Sequence, residues 1–491
     1  MKRFEIPQEV LAVVAELQKA GFSAYFVGGC VRDVILGIMP KDWDVTTNAS
    51  PEEVQKVFPE HVYENDFGTV GVKTDSEDER LKVVEVTTFR LEGKYTDKRH
   101  PDEVRFAKTV EEDLSRRDFT INAIAMEVGK TGSSPPKFID PYKGALDIKE
   151  RVIRTVGDPS ARFGEDALRL MRAARLAVEL DFQIELATRR AIQEKAGELE
   201  MIAKERIRDE FIKILETRNA ARGIILLEEL GLLRFACPEL SEGVGVGQNK
   251  HHIYTVFEHN VRALDYAAGK DYSLLVRLAS LLHDVGKPLS KKGDGPDSTF
   301  YNHEHIGARL AAQALDRLKF PKDFSENVVH LVRNHLFYYN VGEVSEAGVR
   351  RFLRRVGVEH LDDLMKVREA DRIGSGVPKA IPYKIRHLLF MIEKVRHDPI
   401  SPKMLKVNGE DVMKLLGIAP GPRVGHTLSV LLEEVLDEPK RNTKEYLEKK
   451  ILELKKLSDK ELASLADRAS EKKHEVEEEI EGEIRGRYHV R

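Results

Sequence analysis

The feature that most constrains the fold is a change of periodicity near Glu150. Before it, short apolar or alternating runs of strand character stand between helical stretches. After it, apolar residues recur at helical spacing, as in Ala167-Leu168, Leu170-Met171 and Ala174. Residues 1–20 read as an amphipathic helix stopped at Gly21, Ala24–Val27 as a strand ending in Gly28-Gly29, and Val31–Leu36 as a helix closed by Gly37. Asp42-Trp43-Asp44-Val45 alternates polar and apolar, as a strand does. Ser50-Pro51-Glu52-Glu53 has the cap, the proline and the first-turn acids of a helix start. Val70-Gly71-Val72 and Val83–Thr88 fit antiparallel strands beside the first. The expected architecture is an α/β head, a mixed sheet with helices, followed by largely all-α units.

A chain of 491 residues exceeds one ordinary domain. The expected divisions are a head at 1–150, a helical neck and body at 151–245, a histidine-rich unit at 246–378, a helical arm at 379–457 and a charged tail at 458–491. The tail is Lys/Glu-rich with few apolar anchors and reads as a solvated helix or a frayed end. With 41% hydrophobic and 33% charged residues the chain can bury real cores. The net charge of -4 excludes a global positive field, so a nucleic-acid partner would need local basic surface. Two cysteines, Cys30 and Cys237, are too few for a disulfide framework and fit a reducing cytoplasm. The acid-containing N-terminal helix is not a signal peptide, and no apolar run approaches the ~20 residues needed to cross a membrane. A cytoplasmic protein without membrane contact is expected; its oligomeric state is left open.

Gly28-Gly29 lets the backbone approach an anion, and the amides that follow can cradle phosphate oxygens, although paired glycines at a strand end also make plain turns. Asp42 and Asp44, two apart on a strand, would point to one face. Two such carboxylates repel unless a cation lies between them, and Mg²⁺ suits an oxygen site that must also bind phosphates. An exposed strand with two solvated acids carries the same pattern. Glu85, an acid within the apolar run Val83–Val86, is a candidate third ligand. Three carboxylates can hold two metal ions, one for an attacking hydroxyl and one for a triphosphate.

Gly28-Gly29-Cys30-Val31-Arg32-Asp33, followed by Lys41-Asp42-Trp43-Asp44, resembles the head of the class II tRNA nucleotidyltransferase and bacterial poly(A) polymerase family. Arg116-Arg117-Asp118-Phe119-Thr120-Ile121-Asn122-Ala123 is similar to that family's ribose-recognition motif. Gly157-Asp158-Pro159, Arg162-Phe163 and Glu165-Asp166-Ala167-Leu168-Arg169 are similar to its base-recognition segment, so the resemblance spans most of residues 20–240. It implies a Mg²⁺-dependent enzyme that adds C and A to the 3′ end of tRNA from CTP and ATP. Asp42, Asp44 and Glu85 would be catalytic, and Gly28, Gly29, Arg32, Asp118, Asn122, Arg162, Asp166 and Arg169 would bind the nucleotide. Asp118 can accept from a ribose 2′-hydroxyl, selecting ribonucleotides. Asp166 and Arg169, three apart on a helix, would share a face. The carboxylate would accept from the exocyclic amine of C or A and the guanidinium would donate to the adjacent ring acceptor; the same spacing also makes an ordinary helix salt bridge. Arg172 and Arg175 continue the row, tracking a nucleic-acid backbone or forming a solvated face. Tyr95–Pro101 resembles the flexible loop that serves the C-to-A switch in CCA-adding members, with Asp97 and Arg99 in place but His100 where many members carry Arg. CC-only addition, A-only addition and poly(A) synthesis remain alternatives.

Eight of the 16 histidines lie between His251 and His335. His259, His283-Asp284-Val285-Gly286-Lys287, His303-Glu304 and Asp371 resemble, in that order, the HD-domain phosphohydrolases, and His303 with His335 leaves room for two metals. Imidazoles mixed with carboxylates suit a divalent transition metal such as Mn²⁺, Ni²⁺ or Co²⁺. The expected ligands are His259, His283, Asp284, His303, His335 and Asp371, whereas His251, His252, His305 and His330 read as surface or supporting residues. Such a unit would hydrolyse phosphoesters at RNA ends, and a hydrolase using the head as an RNA platform is a further alternative. Leu405–Val412 and Gly417–Gly425 resemble the C-terminal segment of HD-bearing members, read as helices and a turn extending a tRNA-binding arm or forming a dimer interface.

Overall fold

The structure is a computed structural model, and it describes residues 6–63, 68–92, 104–129, 135–249, 253–396 and 402–490. The residues divide into two compact units, one of residues 1–336 and 362–380, the other of residues 337–361 and 381–491.

The first unit opens with an α/β head. Its strands are β1 (Ala24–Val27), β2 (Asp44–Thr47), β3 (His61–Tyr63), β4 (Thr69–Lys73), β5 (Val83–Thr88), β6 (Arg90–Glu92), β7 (Val104–Phe106), β8 (Ala125–Glu127) and β9 (Lys137–Ile139). Seven of them form one sheet in the order β3-β4-β5-β2-β1-β8-β9, and β6 and β7 form a separate antiparallel pair. The pairing departs from the expectation, because neither β4 nor β5 lies beside β1. β5 lies beside β2 and runs parallel to it, whereas β4 and β5 are antiparallel. The parallel register sets Asp44 directly opposite Glu85.

Period-2 alternation gives the sheet two unlike faces. Phe26, Val45, Val70, Val72, Val84 and Val86 are all buried on one face, against the helices Gln8–Lys19 and Pro51–Val57. The first helix presents Val10, Val13, Val14 and Leu17 at the i, i+3, i+4, i+7 spacing of an apolar stripe. The second starts on a full capping box between Ser50 and Glu53, as the residue pattern predicts. Each buried valine contributes roughly 1.5–3 kcal/mol of transfer free energy, which fixes the register. The opposite face is thereby left to Asp44, Thr46, Glu85 and Thr87.

Beyond β9 the unit is helical apart from the two-residue strands Val152–Ile153 and Gln183–Ile184. Five helices, Val256–Gly269, Leu274–Leu282, His303–Arg317, Lys322–Asn334 and Leu361–Gly374, carry or flank the six expected HD ligands. No helix among the described residues is long and apolar enough to cross a membrane.

The second unit is all helical. Gly409–Leu416 and Pro422–Asp437 flank a left-handed Gly417, matching the helices and turn read from the sequence. The segment 458–490 is one helix, Asp459–Tyr488, started by a capping box between Ser458 and Glu461. It packs on Pro422–Asp437 and Tyr383–Arg396 through Leu462, Ala466, Ala469 and Ile484, so it is neither frayed nor free.

Candidate active site and metal centre

In the head, Gly28 ends β1 with φ 83° and ψ -136°, a conformation that L side chains rarely adopt. A Cβ there would lie 2.9 Å from Arg117 Nη1 and 3.5 Å from Asp44 Oδ2. Gly28 thus turns the chain into the helix Gly29–Leu36 and leaves open the space that Arg117 and Asp44 both border. The helix brings Arg32 inward, where it pairs with Asp33 at 2.7 Å and donates to Asn122 Oδ1 at 3.0 Å. Two expected nucleotide-binding residues, 90 apart in sequence, therefore touch.

Asp44 is the first residue of β2, and Asp42 lies in the exposed bend before it. The premise that both aspartates sit on one strand does not hold, because regular pairing begins only at Asp44. The two carboxylates still sense each other. Burial pushes the Asp44 carboxyl up to about 6, and Asp42 and Glu85 push the same way against the Arg117 guanidinium. Two acids beside the half-buried Asp44 carboxylate make a three-carboxylate donor set that calls for a cation and fits a hard divalent ion. Their oxygens do not gather within 4.8 Å of one another as those of the HD cluster do. Arg117 is itself held by Asp113, a buried residue that also binds Arg116 at 2.9 Å and accepts from Thr46 at 3.3 Å. The sequence reading missed Asp113, although its i+3 and i+4 spacing to Arg116 and Arg117 marks a helical ion pair.

Asp118 accepts from its neighbour Phe119 N–H at 2.9 Å and from Arg172 at 2.6 and 2.8 Å. Burial alone would raise this carboxyl; the Arg172 and Arg169 charges overcome it and hold it down to about 2. A carboxylate has about four lone-pair positions, so one is left for a ribose hydroxyl. Asp166 does not share a helix face with Arg169. Its backbone is extended between the helices Pro159–Glu165 and Leu168–Glu179, and its carboxylate caps Leu168 N–H at 3.0 Å and binds Arg206 at 2.9 Å. Arg169 is buried, pairs with Glu165 and donates to the carbonyls of Arg162 and Arg116 at 3.0 and 3.2 Å. Arg162 likewise braces the segment, donating to Val156 and Ser115 carbonyls. Arg172 and Arg175 do not form a solvated row, because Arg172 meets Asp118 and Arg175 meets Glu210 and Glu179 at 2.7 Å each. Arg206 and Glu210, which the sequence reading did not single out, supply two of these long-range partners. Asp97 and Arg99 lie outside the described residues, as do His100, His251 and His252.

The second constellation is brought together completely. His259 and His283 Nε2 atoms lie 2.9 Å apart, and both face Asp284 Oδ2, at 3.1 and 3.3 Å, and Asp371 Oδ1, at 3.3 and 3.6 Å. His303 and His335 face the other Asp284 oxygen at 3.2 and 3.6 Å. Asp284 thus stands between two donor groups, His259/His283 and His303/His335. His283, His303 and His335 each turn Nδ1 to the carbonyl three residues earlier, at 2.7 Å. Those contacts make Nδ1 the donor and leave the Nε2 lone pair aimed at the centre, the tautomer a metal ligand needs. Burial alone would lower the His283 imidazole, yet Asp284 and Asp371 raise it to about 10; the two carboxylates demand positive charge between the rings. The residues therefore fit a metal pair. Lys287 reaches Asp284 at 2.5 Å and Gln248 at 2.6 Å, and Arg368 meets Asp371 at 2.5 Å. A cavity of about 540 Å³ opens beside them, lined also by Tyr301 and Arg372. Gly286 makes the centre compact, since a Cβ there would stand 2.1 Å from the His303 carbonyl. His305 is about half exposed and touches only Glu304 among these residues.

Comparison with known proteins agrees with this geometry. The Poly A polymerase head domain matches residues 24–154, the probable RNA and SrmB-binding site of polymerase A matches 181–243, and the HD domain matches 256–374. The chain is 36% identical over 424 residues to the A-adding tRNA nucleotidyltransferase of Deinococcus radiodurans, covering 84% of this chain and 91% of that one. It is 34% identical over 439 residues to a CCA-adding enzyme of a Geobacillus species, covering 89% and 95%. Among solved structures, the Bacillus stearothermophilus CCA-adding enzyme in complex with CTP superposes with a TM-score of 0.55 at 30% identity, covering 91% of this chain and 96% of that one.

Proposed function

This chain belongs to the tRNA nucleotidyltransferase family of A-adding and CCA-adding enzymes, and from that premise we propose that it builds the CCA end of tRNA from CTP and ATP. The carrying observation is the half-buried Asp44 at the mouth of the Gly28 turn, opposite Glu85 and near Arg117. Divalent metal use is a property of the family. Here Asp42, Asp44 and Glu85 would hold Mg²⁺, which supplies charge neutralisation for an attacking hydroxyl and a triphosphate. The chain's own groups do the rest. Gly28 and Gly29 let the triphosphate approach the backbone, and Arg32, tied to Asn122, places positive charge beside it. Asp118 receives the ribose hydroxyl. The RNA 3′-hydroxyl would then attack the α-phosphorus in line, losing its proton and forming the 3′-O–P bond as the α–β phosphoanhydride bond breaks and pyrophosphate leaves on the opposite side.

Base selection would fall to Asp166 and Arg169, acting as separately held groups and not as a pair. Arg206 orients the carboxylate and Glu165 orients the guanidinium, so each is preset by a partner other than its mate. In the HD unit His259, His283, Asp284 and Asp371 would hold one Mn²⁺, Ni²⁺ or Co²⁺ ion and Asp284, His303 and His335 a second. That centre would serve hydrolysis of phosphoesters at RNA ends, with Lys287 and Arg368 beside the cavity to receive the phosphate charge. The setting of both activities would be the cytoplasm.

The test is terminal transfer on three tRNA transcripts, one lacking CCA, one ending in CC and one complete, each with CTP, ATP or both. Completion to CCA followed by arrest is expected, and Asp42→Ala should extend none of them. Addition of A to the CC transcript with no extension of the transcript lacking CCA would establish the second reading, an A-adding half-enzyme, which the Deinococcus relative favours. An unending A tail on any RNA would replace both readings with poly(A) synthesis.

A further inference from the structure

We infer that the exposed face of the helix Glu346–Val356 is a grip for the sugar-phosphate backbone of the RNA substrate, an inference that rests on the tRNA reading above. The helix has the sequence EAGVRRFLRRV, with four arginines against one acid. Its buried residues Val349, Leu353 and Val356 share one narrow stripe. At 100° per residue, Arg350, Arg351, Arg354 and Arg355 fall on a contiguous sector away from that stripe, and all four are exposed. They form two rows, Arg350–Arg354 and Arg351–Arg355, with about 6 Å of axial rise within each, a reach suited to consecutive phosphates.

The arginines are not consumed by protein partners. Arg350 pairs with Glu346 at 3.2 Å, and Glu346 is shared with Lys394 at 3.5 Å. Among the described residues, Arg351, Arg354 and Arg355 make no ion pair with a carboxylate, and Arg355 lies 5.7 Å over the Phe352 ring. This differs from the arginines of the head and body, where Arg162, Arg169, Arg172, Arg175 and Arg206 are each bound to an acid. An isolated cluster of like charges on a helix is destabilising by a few tenths of a kcal/mol per i, i+4 pair, so its retention calls for an anionic partner. The same unit carries the helix Asp459–Tyr488, with ten acids against six Lys and Arg, which repels a polyanion. With a net charge of only -4, the chain lacks a general field to hold RNA, and a local guanidinium stripe supplies what that requires. The stripe offers charge and no ordered set of base-reading groups, so it would grip the body of the substrate regardless of sequence.

The test is binding of a tRNA transcript as a function of KCl, together with the tRNA KM, for wild type and for R351A/R354A/R355A. Alanine keeps these surface positions helical. Removal of three phosphate contacts should lower the slope of log K against log salt by about 2–3, and the tRNA KM should rise by about tenfold or more. The R351K/R354K/R355K protein, which keeps the charge, should restore most of the slope. An unchanged slope and an unchanged KM in the alanine protein would overturn the inference while leaving the transfer function intact. If the wild-type chain extended no tRNA at all, the functional reading would fail, and the salt slope would still decide whether the stripe binds RNA.

Discussion

Asp118→Asn separates the electrostatic role of this carboxylate from its shape. The carboxyl is held at about 2 against an ordinary value of 3.8. A depression of that size corresponds to roughly 2–3 kcal/mol. The folded value is depressed, so this stabilisation is present in full above pH 4 and is lost as pH falls through 4 towards 2. Asparagine keeps the outline and one acceptor oxygen but leaves Arg172 without its counter-ion. Arg172 remains about a third exposed, at 34%, which keeps the penalty below the ~3–5 kcal/mol of a pair broken in a dry interior. The transition of the unit containing the head should therefore fall by roughly 3 °C at pH 7, at about 1–2 °C per kcal/mol for a unit of this size. The gap between wild type and variant should shrink to about half at pH 3, where the unfolded carboxylate is mostly protonated. Calorimetric scans at the two pH values measure both quantities. In parallel, incorporation of ATP over dATP should drop by at least about tenfold, because the site loses its anionic acceptor for the 2′-hydroxyl. A variant that melts with wild type at pH 7, or whose deficit is the same at pH 3, would refute the electrostatic argument. Unchanged ribose selection would refute the placement of the 2′-hydroxyl.

Gly28→Ala forces an L residue to φ 83° and drives a Cβ to 2.9 Å from Arg117, so about 1–3 kcal/mol of stability and most of the transfer activity should be lost; a scan and a transfer assay that both match wild type would contradict the close approach. Arg206→Ala should leave Asp166 unoriented and blur CTP against ATP selection by about tenfold, which competition between labelled nucleotides on a CC-ending transcript would read; full selectivity would remove Arg206 from the site. In the HD unit, metal analysis after equilibration with Mn²⁺ should give two ions per chain in wild type, one in His335→Ala and none in Asp284→Ala, with terminal transfer retained in all three. Equal metal content in wild type and Asp284→Ala would rule out the shared carboxylate.

The local parts of this protein were legible because their causes are local. The capping box at Ser50–Glu53, the left-handed Gly37 and the strand Ala24–Val27 lie where the residue pattern puts them. The HD centre was legible for a different reason. Its six expected ligands were picked out by their ordered resemblance to the HD-domain phosphohydrolases, and the helices bring all six together. The pairing of β5 with β2 was not legible, because both strands satisfy the same alternation whichever neighbour they take. The base-recognition segment shows the limit more sharply. Spacing alone allows an Asp166–Arg169 pair, but the break after Glu165 puts Asp166 in extended backbone, where it binds a guanidinium 40 residues away. Arg172 similarly finds Asp118, 54 residues earlier, instead of solvent.

These distant partners bear on how selection works. An exposed i, i+3 pair is worth only ~0.2–0.5 kcal/mol and would reorient freely as nucleotides exchange. Asp166 and Arg169 are instead each anchored, with side-chain exposures of 15% and 10%, and neither depends on the other for its position. A template for two different bases needs that arrangement: each group must hold its direction while the base in front of it changes from C to A. On the proposed reading, discrimination would rest on the frame of Glu165, Arg206 and the carbonyls of Arg116 and Arg162 that holds the two groups. Substitutions in that frame should alter which nucleotide is taken while leaving the head carboxylates able to act on it.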